Sequence, residues 1–219
     1  MQGVAVVYQK TKAMKIKVCG MREPENIRAL AKLPIDWMGL IFYDRSPRFA
    51  GNLPPDALAC LPGLVKRAGV FVNQPAQVIL EKVKTYSLAT VQLHGAETPD
   101  VCRELKQNGL EVIKAFAIAK GSDFAVCKDY EAVCDYFLFD TKSPNYGGTG
   151  LQFNWLLLKH YTGNTPFLLS GGIGKESAGE IKKIAHNRLA GIDLNSRFET
   201  TPGVKETTKI NQFRKEIKS

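Results

Sequence analysis

Short runs rich in β-branched, aromatic and aliphatic residues recur along the chain. They are Lys15–Val18, Trp37–Phe42, Arg67–Val72, Thr90–Leu93, Val112–Phe116, Tyr136–Phe139, Phe167–Leu169 and Gly191–Leu194. Each is too short and too β-rich for a buried helix and reads as a strand. Segments with helical spacing lie between most of them. Pro24–Leu33 opens with proline in a first turn, and Pro75–Tyr86 has apolar residues at Val78, Ile79 and Val83. Thr98–Asn108 stops at Gly109, a residue suited to a helix C-terminus. Phe153–Tyr161, Glu176–Ala185 and Lys205–Lys218 continue the alternation, while Ser122–Val133 carries its weakest helical pattern.

Eight strands alternating with helices predict an α/β fold, a single closed (β/α)8 TIM barrel. A doubly wound open sheet is the competing architecture, but it would want a nucleotide-binding fingerprint after its first strand, and "VCGMRE" is not one. No linker or shift in composition divides the chain, so Met14–Ser219 is expected to form one catalytic domain. The preceding residues, Met1–Ala13, hold one apolar run, "VAVVY", and are expected to be an extension that the barrel does not require.

With 219 residues, 44% hydrophobic, the chain can bury a substantial core. No apolar stretch reaches the ~18 residues of a membrane span. The only basic residues near the start, Lys10 and Lys12, follow the apolar run, which is the wrong order for an export signal, so the expected location is cytoplasmic. Five scattered cysteines without a CxxC pair, and three histidines, give neither a disulfide framework nor a zinc spacing. The net charge of +9 invites nucleic acid, but the lysines are dispersed and no arginine-rich helix or RNA-reading motif appears. A small anionic substrate is the better use of local positive charge, with no nucleic acid, membrane or obligatory protein partner expected.

The polar residues are not scattered. In a (β/α)8 barrel the working groups sit at the C-terminal ends of the strands. Those ends read "KVCG", "FYDRSPR", "FVNQ", "QLHGAE", "KAF", "FDTKSPNYGGTG", "LSGGIG" and "DLNSRFETTPG". One rim thereby collects a cysteine, an arginine, a histidine, an aspartate and two turns rich in glycine or serine. Cys19 shares strand parity with Lys15 and Lys17, so Lys17 is expected to face the same interior and to lower the thiol pKa. Asp140 ends the apolar run "YFLF", where desolvation would raise its pKa toward that of a useful acid.

In "KVCGMRE", "GLIFYDRSPRF", "GVFVNQ", "VQLHGAE", "FDTKSPNYGGTGLQFNW", "PFLLSGGI" and "PGVKE" the sequence resembles phosphoribosylanthranilate isomerase, from about Lys15 to near the C-terminus. The resemblance implies an Amadori rearrangement in tryptophan biosynthesis that uses no cofactor and no metal. N-(5-phosphoribosyl)anthranilate would become 1-(2-carboxyphenylamino)-1-deoxyribulose 5-phosphate. It implies Cys19 as base and Asp140 as acid, Arg48 on the anthranilate carboxylate with Arg45 as a competitor, and His94 near the substrate. The substrate phosphate would rest on the turns after strands seven and eight, at Gly171, Gly172, Asn195 and Ser196. Asn195, Arg197 and Phe198 depart from the small residues usual there, and Arg197 is expected to point outward. "GGTG" at 147–150 lacks P-loop spacing and reads as a lid. Indole-glycerol-phosphate synthase and sugar-phosphate epimerase are rivals, but their lysine–glutamate or metal-histidine sets are not visible. A non-catalytic barrel is a further alternative, because fold alone does not prove activity.

Overall fold

A computed structural model describes residues 14–142 and 152–219. The extension at 1–13 and the lid at 147–150 lie outside the described residues. Eight parallel strands close in sequential order into a barrel, β1 pairing with both β2 and β8. The strands are β1 (Lys15–Val18), β2 (Trp37–Ile41), β3 (Lys66–Phe71), β4 (Thr90–Leu93), β5 (Glu111–Ile118), β6 (Tyr136–Thr141), β7 (Phe167–Leu169) and β8 (Leu189–Leu194). All eight agree with the strands expected from the alternating pattern, to within three residues at either end.

The helical layer departs further from expectation. Full α-helices follow β1, β3, β4 and β8 as α1 (Pro24–Leu30), α2 (Ala76–Tyr86), α3 (Pro99–Gln107) and α5 (Thr207–Lys218). After β7 a 3-10 turn, Lys175–Ser177, leads into the short α4 (Ala178–Lys182). After β5 and β6 only 3-10 segments occur, Gly121–Tyr130 and Trp155–His160. Under them the outer faces of β5–β7 carry Phe116, Phe137, Phe139 and Phe167, which pack with Phe124 and Tyr161 at ring-centroid distances of 4.8–6.5 Å. Rings of that size fill the layer from the sheet side, so a shorter covering segment suffices to exclude water. An antiparallel hairpin absent from the sequence reading, β9 (Glu199–Thr201) and β10 (Val204–Lys205), turns at Gly203 and leans on the rim.

Side-chain parity inside the barrel follows from contacts that span it. Lys15 Nζ donates to the Tyr136 hydroxyl at 2.6 Å, and Trp37 Nε1 donates to Glu111 Oε1 at 2.7 Å. Thr90 donates to the same glutamate. These inward positions form the floor. Counting by twos toward the C-terminal ends, the inward residues become Lys17 and Cys19, Gln92 and His94, Leu138 and Asp140, with Asp193 and Asn195 on β8 and just beyond it.

Candidate active site

Cys19 lies one residue past β1, buried at 3% exposure. Room for its sulfur comes from Gly39 on β2, where a Cβ would stand 2.8 Å from Sγ. Gly20, next in sequence, has φ +79°, and a Cβ there would meet Arg48 Cδ at 2.7 Å and Asn195 Oδ1 at 2.9 Å. The cysteine–glycine pair thus turns the chain sharply away from β1 while the neighbours close in.

Lys17 is fully buried and pairs with Asp193 Oδ1 at 2.8 Å, and Ser170 Oγ donates to the other oxygen at 3.4 Å. Burial works against the Lys17 ammonium, but Asp193 and then Cys19 outweigh it and hold its pKa above that of an ordinary lysine. The Cys19 pKa is raised, not lowered as the sequence suggests. Burial pushes the thiol up, and although the Lys17 ammonium pulls the other way, desolvation prevails, aided by the Asp193 carboxylate.

Across the mouth, Asp140 sits one residue from the end of β6. Its Oδ1 accepts the Thr141 amide at 2.8 Å, and Oδ2 faces His94 Nε2 at 3.4 Å. With 16% of its side chain exposed, the carboxyl group is not in the dry pocket suggested by "YFLF". Gly171, at φ +83°, permits this arrangement, since a Cβ there would come within 2.9 Å of Asp140 Oδ1. Gly171 and Gly172 form the turn after β7. Asn195 and Ser196 begin the turn after β8, where Ser196–Phe198 is a single 3-10 turn. Because β7 pairs with β8, the two turns are neighbours.

Of the two arginines in "DRSPR", Arg48 is buried and Arg45 exposed. Arg48 does not present an unoccupied fork. Nε and Nη2 grip Glu199 at 2.8–3.1 Å, leaving the end-on edge with Nη1, which has no partner among the described residues. Glu199 also pairs with buried Lys205, its cross-strand partner in the hairpin, and Lys205 Nζ donates to Asn195 Oδ1 at 2.8 Å. Burial opposes the Glu199 charge, but Arg48 and Lys205 hold its pKa below the usual carboxylate range. Lys205 shares that carboxylate with Arg48, so for it burial wins and its pKa falls below the ordinary lysine value. Arg197 points outward, paired with Glu176 at the surface.

Asp193, Glu199, Lys205 and Gln92 were not singled out in the sequence. The first was legible by parity, two residues before Asn195 on an inward face. The hairpin residues were not, because their partners lie far along the chain. Three buried cations, Lys17, Arg48 and Lys205, outnumber the two buried carboxylates they pair with, Asp193 and Glu199.

The molecule is therefore a (β/α)8-barrel enzyme whose polar, charge-paired mouth is built from strand ends and the loops that follow them. The family model described as "N-(5'phosphoribosyl)anthranilate (PRA) isomerase" matches residues 16–216. The chain is 50% identical to the N-(5'-phosphoribosyl)anthranilate isomerases of Parabacteroides distasonis and Phocaeicola vulgatus. The alignments cover 93% of this chain and 93% of the first relative, and 94% and 98% for the second. It also resembles a solved phosphoribosyl anthranilate isomerase in complex with reduced 1-(o-carboxyphenylamino)-1-deoxyribulose 5-phosphate, with TM-score 0.77, 28% identity and coverage of 94% and 98%. The chain belongs to the N-(5'-phosphoribosyl)anthranilate isomerase family. It is an isomerase of tryptophan biosynthesis.

Proposed function

We propose that Cys19 and Asp140 are the base and the acid of the rearrangement. The observation that carries this reading is their placement at the C-terminal ends of β1 and β6, on one rim of the barrel, with Arg48 and Lys205 at the same rim. Asp140 gives its proton to the ribose ring oxygen, the bond from that oxygen to C1 breaks, and the nitrogen lone pair forms a C1–N iminium. Cys19, as thiolate, takes the C2 proton, and the released electron pair moves into the C1–C2 bond to neutralise the iminium. The enolamine then tautomerises to the ketone. One proton enters from Asp140 and one leaves to Cys19.

A buried thiolate is scarce at neutral pH but strongly basic once formed, and Lys17 and Lys205 favour it electrostatically. The end-on edge of Arg48 suits the anthranilate carboxylate. His94, 3.4 Å from the acid, borders the sugar. The phosphate rests against the turns at Gly171–Gly172 and Asn195–Ser196. Five unpaired cysteines, four of them buried, fit a reducing, cytoplasmic setting.

Purified protein should isomerise N-(5-phosphoribosyl)anthranilate, followed as loss of anthranilate fluorescence. Cys19→Ser and Asp140→Asn should each lower kcat by about 10² or more, with the fold intact by circular dichroism. Near-normal turnover in either variant would refute the acid–base assignment.

A further inference from the structure

Gln92 is an inward residue of β4, 1% exposed, two positions before His94. Its Nε2 lies 2.8 Å from His94 Nδ1, and the far nitrogen of the same ring, Nε2, faces Asp140 Oδ2 at 3.4 Å. Three side chains, on β4, one residue past it and on β6, thus form a line that ends on the carboxyl group assigned as the acid. One atom in the line is left over. Gln92 Oε1 is buried and has no hydrogen-bond partner among the described residues.

That leftover oxygen indicates how the line is polarised. An amide has two ends, and only one can meet Nδ1. With the amino group toward the ring, as found, one carbonyl oxygen and one N–H go unsatisfied among the described residues. Turned over, Oε1 would accept an Nδ1–H, but an amino group with two hydrogens would be stranded in the same dry place. Buried N–H groups without partners are rarer and costlier than underused carbonyl oxygens. The arrangement found is therefore the cheaper one, and it makes Nδ1 an acceptor. A neutral imidazole that accepts at Nδ1 carries its hydrogen on Nε2, the atom aimed at Asp140.

We propose that Gln92 is a positioning residue that fixes His94 in the Nε2–H tautomer, so that the imidazole donates a hydrogen bond to Asp140. The proposal rests on the reading of Asp140 as the acid. When Asp140 gives its proton to the ring oxygen, a carboxylate forms, and a donor already in place stabilises that charge as it develops. No proton leaves His94 in the step. With the other tautomer an imidazole lone pair would face the new carboxylate and oppose the transfer.

The test uses the full-length protein labelled with 15N-histidine. Two-bond 1H–15N correlation spectra report which ring nitrogen carries the hydrogen, and a His94→Gln variant assigns the resonance among the three histidines. The wild-type protein should show His94 as the Nε2–H tautomer. Gln92→Leu should lose that preference and lower kcat about tenfold, with KM within about twofold, the size expected for one hydrogen bond to a charged group. Gln92→Glu, whose carboxylate can only accept, should place a hydrogen on Nδ1. Nδ1–H as the sole form in the wild type, an unmoved tautomer in Gln92→Glu, or full turnover in Gln92→Leu with the tautomer lost would each overturn the proposal. The spectra do not depend on catalysis, so an active Asp140→Asn enzyme would remove the acid assignment while leaving the tautomer result standing.

Discussion

Two lysines on barrel strands are buried, Lys17 on β1, facing the interior, and Lys114 on β5, on the outer face beside Phe116, at 0% and 2% exposure. Both meet a buried carboxylate, Asp193 at 2.8 Å and Glu97 at 3.1 Å. Their other neighbours differ. Lys114 donates to the backbone oxygens of Leu93, Gly95 and Ala115, and Glu97 accepts the amides of Asn73 and Gly95. That pair is a clamp that satisfies the backbone of the loop after β4. Lys17 has a thiol in place of carbonyls, and its partner carboxylate stands near the same sulfur. A buried charge is thus not in itself a mark of chemistry. What shares its acceptor shell decides whether it holds the fold or tunes a reacting group.

The widest separation should come from removing each lysine in turn. Lys17→Met and Lys114→Met should both destabilise the protein by about 3–5 kcal/mol, because each strands a buried carboxylate. Urea titration measures this. Only Lys17→Met should also reduce kcat in the folded protein, by about tenfold or more, with Lys114→Met staying within about threefold. Equal kinetic losses would erase the distinction.

Arg48 tests whether the Glu199 network belongs with the Lys17 kind of pair. Arg48→Ala should raise KM about tenfold with a smaller change in kcat, because a carboxylate remote from the reacting carbons is held in ground and transition states alike. Arg45→Ala, at an exposed site, should leave KM within about twofold. A rise confined to Arg45→Ala would exchange their roles.

The thiol itself reports the Lys17 contribution. Burial raises the Cys19 pKa, so its alkylation should accelerate only at pH values above those where an ordinary cysteine reacts. The ammonium favours the thiolate, hence Lys17→Met should move that limb to still higher pH. Lys114→Met should leave it in place.

The smallest effect is expected at Arg197, whose pair with Glu176 is exposed on both sides. Such pairs contribute about 0–1 kcal/mol. Arg197→Ala should change KM by less than about threefold and leave its salt dependence unaltered. A tenfold rise would mean that this side chain swings onto the substrate phosphate.

Much of this molecule follows from local pattern. The eight strands are legible because strands of three to eight residues, largely buried on both faces, read as short apolar runs whatever surrounds them. The inward facing of Lys17 and Cys19 follows from period two alone. Helix content after β5 and β6 was not legible, because it depends on how much space the phenylalanines of three different strands leave outside the sheet.

Tertiary structure decided the charge states and the partners. Lys17 precedes Cys19 by two residues, and the sequence alone suggests a lowered thiol pKa. Only closure of the barrel brings Asp193 alongside and removes the water that would have solvated a thiolate. Arg48 was legible as a cation near the mouth, but its hold on Glu199, 151 residues away, exists only once β9 and β10 fold back on the rim. Sequence determines which groups a strand end carries and which face they take, because those depend on a few adjacent dihedrals. Their protonation and pairing depend on what the rest of the chain excludes or brings near, since desolvation and Coulomb interactions act through space and not along the backbone.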